Sequence, residues 1–518
     1  MNIVTKLNKI HFPILIFIVV FSLFPNNDQW FDSYTYALNV RDGVDLFHPH
    51  HLLYNVLGYL FYNAFKFTGI GSLKLLSFVN SIFGVFTLVL IFLIVKSRKG
   101  SISATLSTLI IGFLYSFWYY STSVEVNMPA LMFLFIALYL LTVKPQSRTN
   151  TIAVYIFISV GVLFHQLLIL SLIPIFIYDI KKYRSFAKPV LYVLPGFGIM
   201  ALTYIIIGIL KAPEKSINGL YEWLTLYSHY GQWGKIRTEN LIIGFWGITK
   251  TIFGGDSLRR IFYDGRLSWL NMIYCMAVVI VTTGMVWLLL TSIILFWRHH
   301  NQQGLLMLGF IFVFGVFAFW WAPSDDGFWL FPVILVLLFA FGENSYRYQR
   351  QKITNVVLIL LLAINIGYEI IPASQKENSI ARQGASALAR FELATSDLVL
   401  TNFNQIRLAL DYHHRIKVPT ASLVYLESGD KDIVISNYQK RIKEVLSRGK
   451  VLLFEDEIRP EPHRRFLYER FSPDDYSKTY SPFIPYLIPV DSIKAYGRNV
   501  IIYRIDPEII SAGKITSE

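Results

Sequence analysis

Between Trp30 and Tyr54 the chain gathers Asp32, Asp42 and Asp45, the histidines His48, His50 and His51, and several aromatic residues. The stretch reads Trp30-Phe31-Asp32-Ser33-Tyr34-Thr35-Tyr36-Ala37 and then Phe47-His48-Pro49-His50-His51-Leu52-Leu53-Tyr54. It directly follows a hydrophobic segment, Ile10 to Phe24. An ionisable cluster at the mouth of a membrane segment marks a functional site by default; a solvated loop with incidental charges is the plainer alternative. Asp32 is flanked by Trp30, Phe31, Tyr34 and Tyr36. A carboxylate in such aromatic, partly desolvated surroundings has a raised pKa and can work as a general base. The aromatic faces also suit sugar rings. Asp32 or Ser33 equally fits the N-cap of a helix running to Val40, and capping does not conflict with a role as base.

Further chemistry-bearing residues punctuate the apolar chain. Glu125 lies in Tyr119-Tyr120-Ser121-Thr122-Ser123-Val124-Glu125-Val126-Asn127-Met128-Pro129, with no basic neighbour in sequence; a carboxylate favoured at a helix start is its structural reading. His165 interrupts an apolar stretch at Phe164-His165-Gln166, as a site residue or as a structural hydrogen-bonding one. The spacing of His48, His50 and His51 is poor for one helical face, although loop geometry can still gather two for a metal. A hard divalent cation held by Asp32 and Glu125 is equally open. Arg259 and Arg260 follow Gly254-Gly255-Asp256-Ser257-Leu258, with Lys235, Arg237 and Arg266 nearby. Guanidinium groups there suit a lipid phosphate or pyrophosphate, or nonspecific headgroup contact. Asp325 and Asp326 sit in Trp320-Trp321-Ala322-Pro323-Ser324-Asp325-Asp326-Gly327-Phe328-Trp329. They can bind acceptor hydroxyls or simply turn the chain, and the tryptophans read as an interfacial belt.

The elements that must position these residues are membrane helices. Of 518 residues, 54% are hydrophobic and only 16% charged, well under the ~25% of soluble domains. This composition, with a mean hydropathy of +0.47, defines a polytopic helical membrane protein. The net charge of +13 fits cytoplasmic loops rich in Lys and Arg better than nucleic-acid binding. The single cysteine, Cys275, excludes an intramolecular disulfide and a cysteine-based metal cluster. Lys6 and Lys9 precede the first apolar run, and Pro25-Asn26-Asn27-Asp28 after it does not resemble a cleavage site, so a retained signal anchor is expected. Hydropathy predicts eleven spans, about 10–25, 72–95, 102–120, 127–143, 151–164, 166–178, 187–210, 269–297, 304–322, 327–342 and 353–372. The fifth and sixth are short enough to be one broken helix instead. With the N-terminus inside and 151–178 as a hairpin, the basic clusters Lys96–Lys99, Lys144–Arg148, Lys181–Lys188, Arg298–His300 and Arg347–Lys352 all fall on one side. Every chemically rich loop then lies on the other, outer side. Residues 51–69 and 241–253 read as interfacial or re-entrant helices.

Beyond about 373 the charges return. Strands are expected at Asp397–Thr401, Lys450–Glu455 and Asn499–Arg504, and helices at Ile406–Tyr412 and Asp432–Arg448. Strands alternating with helices imply a small α/β domain. It has no glycine-rich phosphate loop, so no nucleotide site is expected there. The expected organisation is a membrane domain over 1–372, with a catalytic first outer loop at 26–71, and an external soluble domain over 373–518.

This pattern resembles the GT-C superfamily of membrane glycosyltransferases, which includes protein O-mannosyltransferases and aminoarabinose transferases. Four features carry it: Asp32 after the first span; the His-Pro and Leu-Tyr motif His48-Pro49-His50-His51-Leu52-Leu53-Tyr54; Glu125 in the second outer loop, with Pro129 opening the next span; and about eleven spans leading to an external α/β domain. The resemblance covers roughly residues 10–372. It implies inverting transfer, on the outer face of a bacterial plasma membrane, of a sugar from a polyprenyl-phosphate-linked donor to a glycan, lipid or protein acceptor. By position, Asp32 would be the base that activates the acceptor, Glu125 would position acceptor or donor, and His165 would support the pocket. Mannosyltransferases usually show an Asp-Glu pair where this chain has Asp32-Ser33, which leaves the acceptor class and the donor open. Three other readings remain, one of them a receptor-like scaffold that uses the α/β tail for protein contacts. A polysaccharide polymerase or ligase acting on lipid pyrophosphates would centre on Arg259–Arg266. A transporter would place charges at the middle of several spans, and spans such as 72–95 and 269–297 lack them.

Overall fold

The computed structural model describes residues 11–145, 147–212, 214–225, 234, 236–255, 257–258, 261, 268–299, 302–342, 348–423, 430–458, 471–496 and 498–511. Contacts divide the chain into two compact units. The first comprises Met1–Pro25 and Asn39–Ile371, and the second Asn26–Leu38 and Pro372–Glu518. The first loop, expected to belong wholly to the membrane domain, is therefore divided: the segment bearing Asp32 folds with the C-terminal residues.

The described elements of the first unit are helices, joined by loops such as the one that holds the isolated His48–His51 bridge. Five helices are long and apolar enough to cross a bilayer: Ser72–Gly112, Ala187–Lys211, Trp269–Leu295, Gln302–Trp321 and Lys352–Ser374. Tyr115–Thr122 and Asn127–Thr142 pass the same test as a pair bent by 112°. This is fewer full-length spans than the eleven expected, for two reasons. Several apolar segments form short helices, among them His11–Leu23, Arg148–Phe164, Leu172–Tyr183 and Asp326–Gly342. In addition, two expected spans meet end to end at Gly100, whose φ of 80° and ψ of 177° break Ser72–Gly112 beside its basic cluster. Only glycine adopts that conformation without strain. The 151–178 stretch is divided at His165, a break common to the hairpin and the broken-helix readings. His165 is extended (φ −156°, ψ 116°), and the 3₁₀ turn Gln166–Ser171 packs back on Arg148–Phe164. Tyr54–Phe65 forms the expected short helix before the first long span, and Asn240–Phe253 forms the other.

Without a hydrophobic driving force inside a bilayer, helices associate through close van der Waals contact at small residues. Gly196 is one such point: a Cβ there would stand 2.6 Å from the Tyr155 carbonyl oxygen, so Ala187–Lys211 lies directly on Arg148–Phe164. Trp118, Phe117, Phe135 and Phe310 are fully buried between helices.

The second unit is α/β. Its strands are β1 (Leu398–Leu400), β2 (Thr420–Ala421), β3 (Val451–Phe454), β4 (Leu487–Ala495) and β5 (Arg498–Ile505). They lie in the order β2-β1-β3-β5-β4. β1 pairs in parallel with β2 and β3, while β5 runs antiparallel to both β3 and β4. Helices Gln405–His414 and Lys431–Leu446 make the two crossovers of the parallel part, as parallel pairing demands. Asp430 caps the second by accepting from the amides of Asp432 and Ile433. Leu398, Leu400, Ile442, Val451, Leu453 and Phe483 form the core. At the ends of β1 and β3, Asp456 accepts from the Asn402 amide at 2.8 Å. Glu457 accepts from the Leu423 amide at 2.7 Å and from the Tyr480 hydroxyl at 2.6 Å. β4 was not expected from the sequence. It is an edge strand with Pro489 and a register shift between Pro489 and Asp491, features that an edge tolerates and that blur the alternation of a strand.

Candidate active site

In the second unit, Asn26 starts a tight turn: its side chain accepts from the Asp28 amide at 3.0 Å, and its carbonyl accepts from Gln29 Nε2 at 2.8 Å. Helix Phe31–Asp42 follows, with Asp32 in its first turn. Ser33, Tyr34 and Ala37 on this helix are buried, whereas the Asp32 side chain is solvent-accessible. The surrounding protein still displaces much of the bulk water around the carboxylate, and this desolvation raises its pKa above the ordinary value of 3.8. An accessible carboxylate with a raised pKa has the properties of a general base.

In the first unit, the His-Pro motif and the His165 turn come together. Gln166 joins them twice, donating from its amide to the His50 carbonyl at 3.0 Å and from Nε2 to the Pro49 carbonyl at 2.8 Å. The Leu53 amide donates to Leu163 at 2.9 Å. The rings of His48 and His51 stack at 4.3 Å, and those of His48 and His50 lie 5.4 Å apart. His165 Nδ1 accepts from the Leu167 amide at 3.2 Å, and its ring is edge-on to Phe328 and Phe331. Burial holds all four histidines neutral, and for His48, His51 and His165 the proximity of other imidazoles adds to it. His48 is lowered to about 4 and His165 to about 3, His51 is well below its usual value, and His50, despite a bond to Gln166, is lowered to about 4. Among the described residues, no group of three or more His, Cys, Asp or Glu side chains is arranged to hold a metal ion.

Tyr54 ends the motif and is connected to Glu125. Its hydroxyl donates to Asn80 Oδ1 at 3.4 Å, while Asn80 Nδ2 donates to the carbonyls of Ser123 at 2.8 Å and Glu125 at 2.6 Å. Burial, with the Glu125 carboxylate second, keeps the Tyr54 phenol well above its ordinary pKa. Asn80 is fully buried. Its signal in the sequence is a single amide inside a long apolar helix, the kind of intramembrane polar residue that marks a functional region.

The two aspartates of the tight turn have separate partners. Asp325 Oδ1 accepts from the Gly327 amide at 2.8 Å, which caps helix Asp326–Gly342. Asp326 pairs with Lys250 Nζ at 3.1 Å and accepts from the Ser116 hydroxyl at 2.5 Å. The turning role considered for these residues accounts for Asp325. Lys250, on helix Asn240–Phe253, was not singled out from the sequence. Arg259 and Arg260, with Lys235, Asp256 and Arg266, lie outside the described residues.

Residues 56–207 match the sequence profile of the dolichyl-phosphate-mannose-protein mannosyltransferase family. The match includes Glu125 and His165 and begins after Asp32 and the His48–Tyr54 motif. No curated protein matches the chain by sequence. Solved structures match it by fold. ArnT from Cupriavidus metallidurans bound to undecaprenyl phosphate aligns with a TM-score of 0.53 at 10% identity, over 96% of this chain and 98% of that one. The Archaeoglobus fulgidus oligosaccharyltransferase in complex with Zn and sulfate aligns with a TM-score of 0.54 at 12% identity, over 94% and 72%. The oligosaccharyltransferase AglB from Archaeoglobus fulgidus, with an inhibitory peptide and a dolichol-phosphate, aligns with a TM-score of 0.51 at 12% identity, over 94% and 73%. The apolar helices mark an integral membrane protein, part of which matches the mannosyltransferase profile and whose fold resembles those of ArnT and the Archaeoglobus oligosaccharyltransferase.

Proposed function

We propose that the protein is a membrane glycosyltransferase that moves a sugar from a polyprenyl-phosphate-linked donor to a hydroxyl or amine acceptor, with inversion. The observation that carries this reading is Asp32: an accessible carboxylate with a raised pKa on an otherwise buried helical turn, in a chain whose fold resembles ArnT bound to undecaprenyl phosphate. In the proposed step the acceptor heteroatom attacks the anomeric carbon. The carbon–oxygen bond to the lipid phosphate breaks, and the acceptor proton passes to Asp32. The leaving group departs as a phosphate, so no nucleotide pocket is needed, and the lipid tail keeps the donor in the bilayer.

In this reading the site faces the outer side of a bacterial plasma membrane, as the charge asymmetry of the loops supports, and the α/β unit lies on that side. Glu125 positions acceptor or donor. The four neutral histidines offer N–H donors and ring faces to the sugar or its phosphate without a competing fixed charge. Arg259 and Arg260 are assigned to the donor phosphate from charge and loop position. General-base catalysis contributes typically ~100- to 10,000-fold, and positioning supplies most of the remainder.

Sugar transfer from polyprenyl-phosphate donors in membranes, comparing the parent chain with Asp32→Asn at matched expression, tests the proposal. Transfer by the parent that the Asn variant abolishes is the expected result. Full transfer by Asp32→Asn, together with loss in Arg259→Ala and Arg260→Ala, would replace it with a polymerase-like reaction on lipid pyrophosphates.

A further inference from the structure

Hydrogen bonds and ring contacts within the second unit fasten the Asp32 segment. The Asn27 amide donates to the Ala373 carbonyl at 3.0 Å, and Asn27 Nδ2 donates to Ser374 at 2.5 Å. The Tyr496 hydroxyl donates to Asp28 Oδ2 at 3.0 Å. Tyr34 is 1% exposed. Its ring stands edge-on to Tyr412 at 6.1 Å and to His413 at 5.9 Å, and those two rings meet each other edge-to-face at 5.1 Å. Both belong to the last turn of helix Gln405–His414. Asp32 thus lies between two fastenings, one just before its helix and one two residues after it.

Helical geometry gives this arrangement its consequence. Successive residues are separated by about 100° around the axis, so Asp32 and Tyr34 stand on nearly opposite sides of their helix. With Tyr34 seated, Asp32 faces away from Tyr412 and His413, consistent with its accessibility. Any rotation of the helix that unseats Tyr34 swings the carboxylate by the same angle. Edge-to-face aromatic contacts are directional, so the seat specifies the rotation of the helix as well as its distance.

We propose that Tyr412 and His413 are positioning residues for Asp32: they form an aromatic seat for Tyr34 that sets the rotation of the helix presenting the carboxylate. The proposal rests on the reading of Asp32 as the base.

The test has two readouts, and one does not depend on transfer. In a Cys275→Ser background, Asp32→Cys supplies a single thiol whose rate of maleimide labelling reports its orientation. Tyr412→Ala and His413→Ala are expected to change that rate by threefold or more, on the order of the change that a rotated side chain gives, while Tyr412→Phe, which keeps the aromatic edge, leaves it within about twofold. In transfer assays with Asp32 present, the Ala variants are expected to lower kcat roughly tenfold or more with little change in KM, since a misplacement of about 1 Å can cost on the order of 100-fold. Added to Asp32→Asn, the same changes should cost nothing further. Where Tyr412→Ala does not fold, Tyr412→Leu keeps the volume without the aromatic edge and is read in the same way. Unchanged labelling in folded variants overturns the seat, as does a kcat loss that persists in full beside Asp32→Asn. Full transfer by Asp32→Asn overturns the base reading instead, and labelling still decides the seat.

Discussion

Asn80 donates its side-chain amide to the backbone carbonyl of Glu125 at 2.6 Å, across 45 residues of sequence. The same side chain accepts from Tyr54 and also donates to the Ser123 carbonyl. One buried amide therefore joins the His-Pro motif to the loop bearing the second candidate carboxylate.

Replacing Asn80 by Leu should consequently disturb two places at once. It removes the three hydrogen bonds that the Ser123 and Glu125 carbonyls and the Tyr54 phenol make to Asn80, each contributing about 0.5–1.5 kcal/mol. The expected outcome is a transfer rate lowered at least tenfold, on the order of 1.4 kcal/mol or more in barrier, together with a lower thermal midpoint in detergent. Parent-like kinetics in the Leu variant would show that the connection does not matter to the site.

For Asp32 the direction of its pKa shift sets the pH dependence. The base works only when deprotonated, and desolvation has moved its pKa above the ordinary carboxylate value of 3.8. Transfer should therefore rise with pH through an apparent pKa above that value and fall away on the acid side. Asp32→Asn should lose ~100- to 10,000-fold and with it the acid limb. A profile measured as log(kcat/KM) against pH, flat across the carboxylate range in the parent, would contradict the assignment.

The four neutral histidines predict acid sensitivity of stability. In the folded chain His48 and His50 have pKa values of about 4 against an ordinary 6.5. Between those values the unfolded chain binds protons that the folded chain does not, so stability is complete above pH ~6.5 and falls as the pH falls toward ~4. Thermal midpoints in detergent should drop over that window. The drop should be shallower in His48→Gln and His50→Gln, whose side chains take up no proton. Equal slopes in the parent and both Gln variants would mean that the histidines do not control it.

Asp456 carries a stability prediction in the α/β unit. It accepts from the Asn402 amide and lies 3.3 Å from the Thr401 hydroxyl, tying the ends of β1 and β3 together. Asp456→Ala leaves a buried backbone amide without its acceptor and should cost about 1–3 kcal/mol. Limited proteolysis should then cut the 372–518 segment faster than in the parent. Unaltered proteolysis would assign the tie no weight.

Much of the local structure is legible in the chain. Asp397–Thr401, Lys450–Glu455 and Asn499–Arg504 alternate or run apolar as strands do, and β1, β3 and β5 lie within a residue or so of those bounds. The break at His165 and the short helix after the His-Pro motif are legible because a polar residue interrupts an apolar run. β2 and β4 were not, because two residues of strand and a bulged edge with Pro489 leave no periodic signal. The number of full-length spans was not either. Apolar composition alone does not separate a helix that crosses a bilayer from a shorter one that packs inside the protein.

By itself, then, the sequence determined that this is a helical membrane protein with a small α/β part, and it singled out Asp32, the His48–Tyr54 motif, Glu125 and His165 as candidate site residues. These are matters of composition and local pattern, which act through neighbours in the chain. Only the tertiary structure decided which of these residues share a unit. It gathered the four histidines through Gln166, joined Tyr54 to Glu125 through Asn80, turned Asp326 toward Lys250, and folded the Asp32 segment with residues more than 300 positions away. The physical reason is that buried hydrogen bonds and aromatic seats are satisfied by whatever partner the fold brings near, and separation along the chain carries no information about that partner.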